Sequence, residues 1–195
     1  MGKIARTIPS ECIAKVISSM GHHTPADLRD SAIICLLSTY GVRGVQVRRL
    51  RLEDVDWAKS RIHFSAAKRG RPIEQYLTAK AGNRLAEYIS NGRPSSPCRE
   101  VFLTLHKPFG PIAHPRQLSR IIQNRMKQAG VKLPEGVSYG SHGFRHAFAT
   151  RLYGRVPFQD IVDMLGHRDP SSTLIYGKLE VSTLSKVVLP WPGAV

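Results

Sequence analysis

The chain has 195 residues, 42% of them hydrophobic, and 29 Lys and Arg against 14 Asp and Glu give it a net charge of +15. This length is enough for one domain with a buried core, and no apolar run is long enough to span a membrane. Three widely spaced cysteines without a CxxC pattern argue against a disulfide framework or a zinc ribbon, so we expect a cytoplasmic protein without a membrane partner. The excess of positive charge attracts polyanions, and nucleic acid is the expected partner.

The first two predicted helices are marked by residues that begin and end helices. Ser10 can cap the first helix, whose apolar residues recur at helical spacing. The second begins at Thr24-Pro25, where a capping hydroxyl precedes proline at the first helical position, and it ends at Gly41.

Alternating apolar and polar residues follow from Leu52 to Thr78, in the segments VDW, RIHFSA and PIEQYLT. Short polar turns separate these segments, which predicts a three-stranded antiparallel meander. Helical patterns then return at 79–90, at 115–129, from a cap at Ser141, and from Pro157 to a stop at Leu165-Gly166. The predicted fold class is therefore α+β, mostly α-helical with a small three-stranded antiparallel sheet.

Residues 142–177 concentrate groups that bind phosphate and move protons. His142 and Arg145 are three residues apart, so they share one face near the start of a predicted helix. A guanidinium fork and the free N–H groups of a helix start both suit a phosphate. His167 directly follows the Leu165-Gly166 stop, and Tyr176 comes a short segment later.

These residues carry a family resemblance. His142-Gly-Phe-Arg145-His-Ala-Phe-Ala-Thr resembles the H-x-x-R-H-x-F-A-T box of tyrosine recombinases, the phage-integrase family. Leu165-Gly166-His167 resembles the family's L-G-H box, and Tyr176 falls where the family keeps its nucleophile. Several ordered boxes are more specific than one.

The resemblance extends upstream, so that it covers roughly residues 9–178. The segment YGVRGVQVRRLRLEDVDW is similar to the one that holds the family's first catalytic arginine, which would be Arg43. Lys68, between the second and third predicted strands, is similar to the catalytic lysine of the family's β-hairpin. Three residues after Arg43 the family commonly has an acid, whereas this chain has Gln46.

The resemblance implies a site-specific recombinase or integrase that cleaves double-stranded DNA with a tyrosine and needs neither a metal nor ATP. A phenol is a weak nucleophile at neutral pH, so it needs a base and a neutralised phosphate. Tyr176 would attack the phosphorus, with His142 as proton acceptor and Lys68 as general acid. The phosphate oxygens would be held by Arg43, Arg145 and His167.

Further basic residues are expected to contact DNA or to support the site; they are Arg48, Arg49, Arg69, Arg71 and His146. His142 and His146 are four residues apart, but a zinc-protease pattern would have glutamate where Gly143 stands. We therefore expect no metal and no small-molecule cofactor.

The expected domain organisation is a catalytic domain at 1–178, with no preceding core-binding domain, and a tail at 179–195. By resemblance, two to four copies would assemble on DNA, and the tail would dock on a neighbouring copy. Two alternatives are a type IB topoisomerase-like enzyme, which uses the same chemistry alone, and a non-catalytic DNA-binding protein derived from the fold. The H-x-x-R and L-G-H boxes favour the recombinase over the first, and retention of the six catalytic residues argues against the second.

Overall fold

The computed structural model describes residues 7–67 and 70–166. Within them the helices are α1 (Ser10–Ser19), α2 (Pro25–Tyr40), α3 (Gly44–Arg48), α4 (Ala79–Asn91), α5 (Pro115–Gln128), α6 (Ser141–Leu152) and α7 (Phe158–Met164). The strands are β1 (Val55–Asp56), β2 (Arg61–Phe64) and β3 (Ile73–Tyr76), which form one antiparallel sheet in the order β1-β2-β3. The predicted α+β class and the three-stranded meander are confirmed.

Helix α2 is the centre of the fold. It begins with the predicted cap, in which the Thr24 hydroxyl accepts a hydrogen bond from the Asp27 N–H at 3.1 Å and the Asp27 carboxylate accepts one from the Thr24 N–H at 3.1 Å. Most of its side chains are buried on all sides, because α1, α4, α5 and α6 pack around it. The helix ends at Gly41, whose φ of 60° is the left-handed conformation that glycine adopts most readily.

Partly buried ion pairs connect α5 to α2. Nη1 of Arg125 lies 2.8 Å from Oδ1 of Asp27, and Nε of Arg125 lies 2.8 Å from Oδ2 of Asp30. These hydrogen bonds raise the pKa of Arg125 above its ordinary value even though burial acts in the opposite direction. The last turn of α5 is thereby held against the first two turns of α2.

Two predicted helix caps are wrong. Pro9 and Gly140 occupy the capping positions of α1 and α6, and neither helix has a side-chain cap, because Ser10 and Ser141 are already the first helical residues. Ser141 instead packs against α3: a Cβ added at Gly44 would lie 2.7 Å from the Ser141 Oγ. Tertiary packing thus places the serine one position inside the helix.

Candidate active site

Arg43 stands at the point where α2 turns into α3. The left-handed Gly41 ends α2, and Arg43 takes an extended conformation at the start of α3. Gly41 leaves no space for a side chain, since a Cβ there would lie 2.4 Å from the Phe148 ring of α6. The first predicted catalytic arginine is therefore held against the helix that carries the H-x-x-R box.

Arg145 is buried, with only 3% of its surface exposed, and it ties three parts of the chain together. Its Nη1 donates to the Gly41 carbonyl at 2.9 Å, and its Nη2 donates to the Leu165 carbonyl at 2.7 Å. Hydrogen bonds from a charged donor are stronger than those from a neutral one. One guanidinium thus connects the first-arginine segment, the H-x-x-R helix and the beginning of the L-G-H box.

Gly166 of the L-G-H box lies next to the connection between β2 and β3. Its carbonyl accepts a hydrogen bond from the Arg71 N–H at 3.2 Å. Gly70 packs between Gly166 and Arg43. A Cβ added at Gly70 would lie 3.0 Å from the Gly166 carbonyl oxygen and 3.3 Å from Nη1 of Arg43. The end of the β2–β3 connection, the glycine before His167 and the Arg43 guanidinium are therefore neighbours.

A groove of about 700 Å³ opens beside this cluster. Its walls come from α3, the first half of the β2–β3 connection, the start of α5 and the start of α6, and they include Arg43, Arg48, Arg49, Ala67, Ser141 and His142. His142 is exposed at this groove, one residue inside α6. The groove gives a polyanion access to both His142 and Arg43.

His146 lies one turn further along α6 than His142, partly buried. Burial lowers its pKa below the ordinary histidine value, and the nearby positive charges of His142 and Arg145 lower it further. The lowered pKa favours the neutral imidazole at neutral pH, so that His146 adds little to the positive charge around Arg145.

The remaining predicted DNA contacts fall into different environments. Arg49 and Arg71 are exposed. Arg48 is partly buried, and its Nη1 donates to the carbonyls of Ile112 and Ala113, so it braces the loop before α5. Burial, and then the charge of Arg49, lower the pKa of Arg48. Lys68, Arg69, His167 and Tyr176 lie outside the described residues.

A second basic groove was missed in the sequence. It has a volume of about 580 Å³ and lies along the other side of the start of α5, where exposed Arg116 and Arg120 line it together with His106 and His114. The sequence does carry a pattern that indicates this groove, because residues 101–134 contain no Asp or Glu. An acid-free stretch around an amphipathic helix indicates a surface for a polyanion.

Two negative findings concern only the part of the chain that the structure describes. No group of three or more His, Cys, Asp or Glu side chains there is arranged to hold a metal ion. No helix there is both long enough and apolar enough to cross a membrane.

Comparisons with known proteins show the family of this chain. The model of the Phage integrase family matches residues 8–182. In Sinorhizobium fredii (strain NBRC 101917 / NGR234), "Putative integrase/recombinase y4gC" is 38% identical over 92% of this chain and 92% of its own length. "Putative integrase/recombinase y4rF" from the same organism is 35% identical over 93% of this chain, which spans only 42% of that relative.

Solved structures share the fold. The XerH site-specific recombinase, in a post-cleavage complex with a palindromic difH substrate, superposes with a TM-score of 0.77 at 18% identity. That match covers 98% of this chain and 54% of the XerH chain.

Proposed function

This chain belongs to the phage integrase family, and we propose that its residues 1–178 form the catalytic domain of a site-specific DNA recombinase or integrase. The family resemblance predicted from the motif boxes is confirmed, and the comparisons favour neither the topoisomerase-like enzyme nor the non-catalytic protein. The observation that carries the proposal is the pair of hydrogen bonds from Arg145 to Gly41 and Leu165, because it joins three separate motif boxes, two of which line the groove through Arg43 and His142.

In the proposed reaction, the Tyr176 phenol attacks the scissile phosphorus. The P–O5′ bond breaks, the phenol proton passes to His142, and the leaving O5′ takes a proton from Lys68. The products are a 3′-phosphotyrosyl link and a free 5′ hydroxyl. Attack by the 5′ hydroxyl of a partner strand reverses these steps and releases the phenol, so that one phosphodiester replaces another without ATP.

Positive groups stabilise the negative charge that builds up on the phosphate in the transition state. We assign contacts to the nonbridging oxygens to Arg43, Arg145 and His167. A guanidinium has five N–H groups, and the bonds of Arg145 to Gly41 and Leu165 use two of them while orienting the planar fork.

Double-stranded DNA is the proposed substrate, and both grooves beside α5 are its proposed contact surface. The groove with His142 and Arg43 would hold the scissile phosphate, with Arg48, Arg49, Arg69 and Arg71 on neighbouring phosphates. The groove with Arg116 and Arg120 would hold the backbone further along the duplex. Because the proposed substrate is DNA, we propose a cytoplasmic location. For strand exchange we propose two to four copies on DNA, with the 179–195 tail docked on a neighbour.

Covalent capture of DNA tests the proposal. The full chain is incubated with a library of short duplexes of randomised sequence, each nicked on one strand so that the fragment released by cleavage diffuses away and religation fails. Protein-linked DNA is then separated under denaturing conditions and sequenced. The proposal predicts adducts with a shared sequence, formed in the presence of a metal chelator.

Two variants make the test specific for the assigned tyrosine. Tyr176→Phe should form no adduct, because the nucleophilic oxygen is gone. Tyr76→Phe is the matched control, since Tyr76 is 67% exposed at the far end of β3 from the β2–β3 connection and its ring stacks under Arg61 at 3.8 Å. Adducts that persist in Tyr176→Phe, or a wild-type chain that captures no DNA from the library, would contradict the proposed reaction.

A further inference from the structure

A dividing wall, residues 112–115, separates the first groove, at His142, from the second basic groove and leads into α5. Ile112 and His114 line the second basic groove, whereas Pro115 lines the first groove. A shift of the dividing wall would therefore change the shape of both grooves at once.

Arg48, the last residue of α3, holds the dividing wall through its guanidinium. Its Nη1 donates a hydrogen bond to the carbonyl of Ile112 at 3.2 Å and another to the carbonyl of Ala113. Hydrogen bonds from a charged donor are stronger than those from a neutral one. The dividing wall is thereby attached to the helix that begins next to Arg43.

Close packing joins α3 to α5 one turn before Arg48. Gly44 and Arg48 are four residues apart, so they lie on the same face of α3. A Cβ added at Gly44 would lie 2.8 Å from Cδ2 of Leu118, in the first turn of α5. The start of α5 is therefore fixed to α3 at two points, by packing at Gly44 and by the hydrogen bonds of Arg48 to the dividing wall.

The dividing wall passes directly into the cap of α5. Nδ1 of His114 accepts a hydrogen bond from the Arg116 N–H at 3.2 Å. In return, Oε1 of Gln117 accepts one from the His114 N–H at 3.0 Å. Because these bonds join the end of the dividing wall to the first turn of α5, the position of the wall determines where Arg116 stands.

We propose that Arg48 is a positioning residue, which holds the dividing wall so that Arg116 and Arg120 face the same DNA backbone as the first groove does. This inference rests on the proposed function, which assigns both grooves to DNA. A phosphate contact made by Arg48 itself would add to this role and would leave it unchanged, because the role depends on the two carbonyls that Nη1 binds.

The salt dependence of DNA affinity separates this role from a simple phosphate contact. Replacing Arg116 and Arg120 together with Gln should reduce the slope of log K against log salt by about 1.8 in the wild-type background. In the Arg48→Met background the same pair should reduce the slope by less than about 0.9, because the two arginines are no longer held at the backbone. Fluorescence anisotropy with a duplex of arbitrary sequence measures both slopes. Equal reductions of about 1.8 in the two backgrounds would overturn the inference.

Arg49→Met is the matched control. Arg49 follows Arg48 directly and lines the first groove, but its side chain is exposed. This variant should itself reduce the slope by about 0.9. Replacing Arg116 and Arg120 in its background should still reduce the slope by the full amount of about 1.8, because independent contacts add. A pair effect that shrinks as much in Arg49→Met as in Arg48→Met would show that lost charge, and not a moved wall, is the cause.

Amide hydrogen exchange without DNA shows whether the wall itself depends on Arg48. Arg48→Met should speed exchange at residues 112–117 about tenfold, because two main-chain carbonyls lose a charged donor. Exchange at residues 125–131 should stay within about twofold of wild type, because Arg125 ties the end of α5 to α2.

Two results of the exchange experiment would overturn the inference. Unchanged exchange at 112–117 would show that the wall does not need Arg48, and faster exchange in both segments would indicate a general loss of stability. A wild-type chain that binds no duplex DNA would instead contradict the proposed function, and the exchange experiment would still report on the wall.

Discussion

The Arg145 guanidinium donates a hydrogen bond to the Leu165 carbonyl at 2.7 Å, although the two residues belong to different helical segments. The same group donates to the Gly41 carbonyl, so that one buried side chain satisfies acceptors from two other parts of the chain. An arginine that the sequence assigns to phosphate binding therefore also holds the site together. Catalysis and stability should both depend on it.

Replacing Arg145 with Met should destabilise the fold. The variant keeps an apolar stem but leaves the buried carbonyls of Gly41 and Leu165 without this donor, which should lower the free energy of unfolding by about 3 kcal/mol. Urea unfolding followed by circular dichroism measures the change. Arg151→Met is the control on the same helix. Arg151 is exposed, and among the described residues its polar contact is a single hydrogen bond to the Ser38 carbonyl at 3.2 Å, so a loss below about 1 kcal/mol is expected. Equal losses in both variants would contradict the bridging role of Arg145.

Gly166→Ala should also be destabilising, by about 2 kcal/mol. Gly166 has a φ of 61°, and a Cβ there would lie 2.8 Å from Cγ1 of Ile73. The strain should push the L-G-H box away from the β2–β3 connection and slow DNA capture as well. Gly110→Ala offers a matched comparison, because its nearest neighbour would be 3.9 Å away. A Gly166→Ala protein as stable as Gly110→Ala would show that this glycine is not needed.

The sequence predicted those elements whose signals are local. The cap at Thr24 and the stop at Gly41 act on adjacent residues, and the alternation from Leu52 to Thr78 is enough to define the meander. Helix α3 was not predicted because five residues are too few to show a helical period.

The contacts within the site could not be predicted in the same way. Arg145 and Arg48 bind main-chain carbonyls, and a carbonyl has the same chemistry at every position, so nothing in the sequence identifies the partner. The motif boxes predicted which side chains matter. Only the fold reveals which parts of the chain these two guanidinium groups connect.

The stability of the protein should fall as the pH drops below neutral, in part because of His146. Its pKa is lowered in the folded state, so the unfolded chain takes up a proton at a higher pH than the folded one does. The contribution of His146 to the free energy of unfolding is fully present above the unfolded-state pKa of about 6.5. It is lost as the pH falls from there through the folded-state pKa. Urea unfolding at a series of pH values should show that the free energy of unfolding of His146→Gln changes less with pH than that of the wild type. Parallel profiles would contradict this contribution.

The groove with Arg116 and Arg120 should contribute to DNA affinity without affecting sequence preference. Replacing both arginines with Gln should weaken binding to a duplex of arbitrary sequence and reduce the slope of log K against log salt by about 1.8, since each phosphate contact contributes about 0.9. Fluorescence anisotropy across a salt series measures both quantities. The control, Lys59→Gln with Arg99→Gln, removes the same charge from residues that pair with Asp56 and Glu53. Because those acids offset their charge, the control should keep a slope close to wild type. Equal slopes for the two double variants would show that the net charge of the protein, rather than this groove, determines the salt dependence of its affinity for DNA.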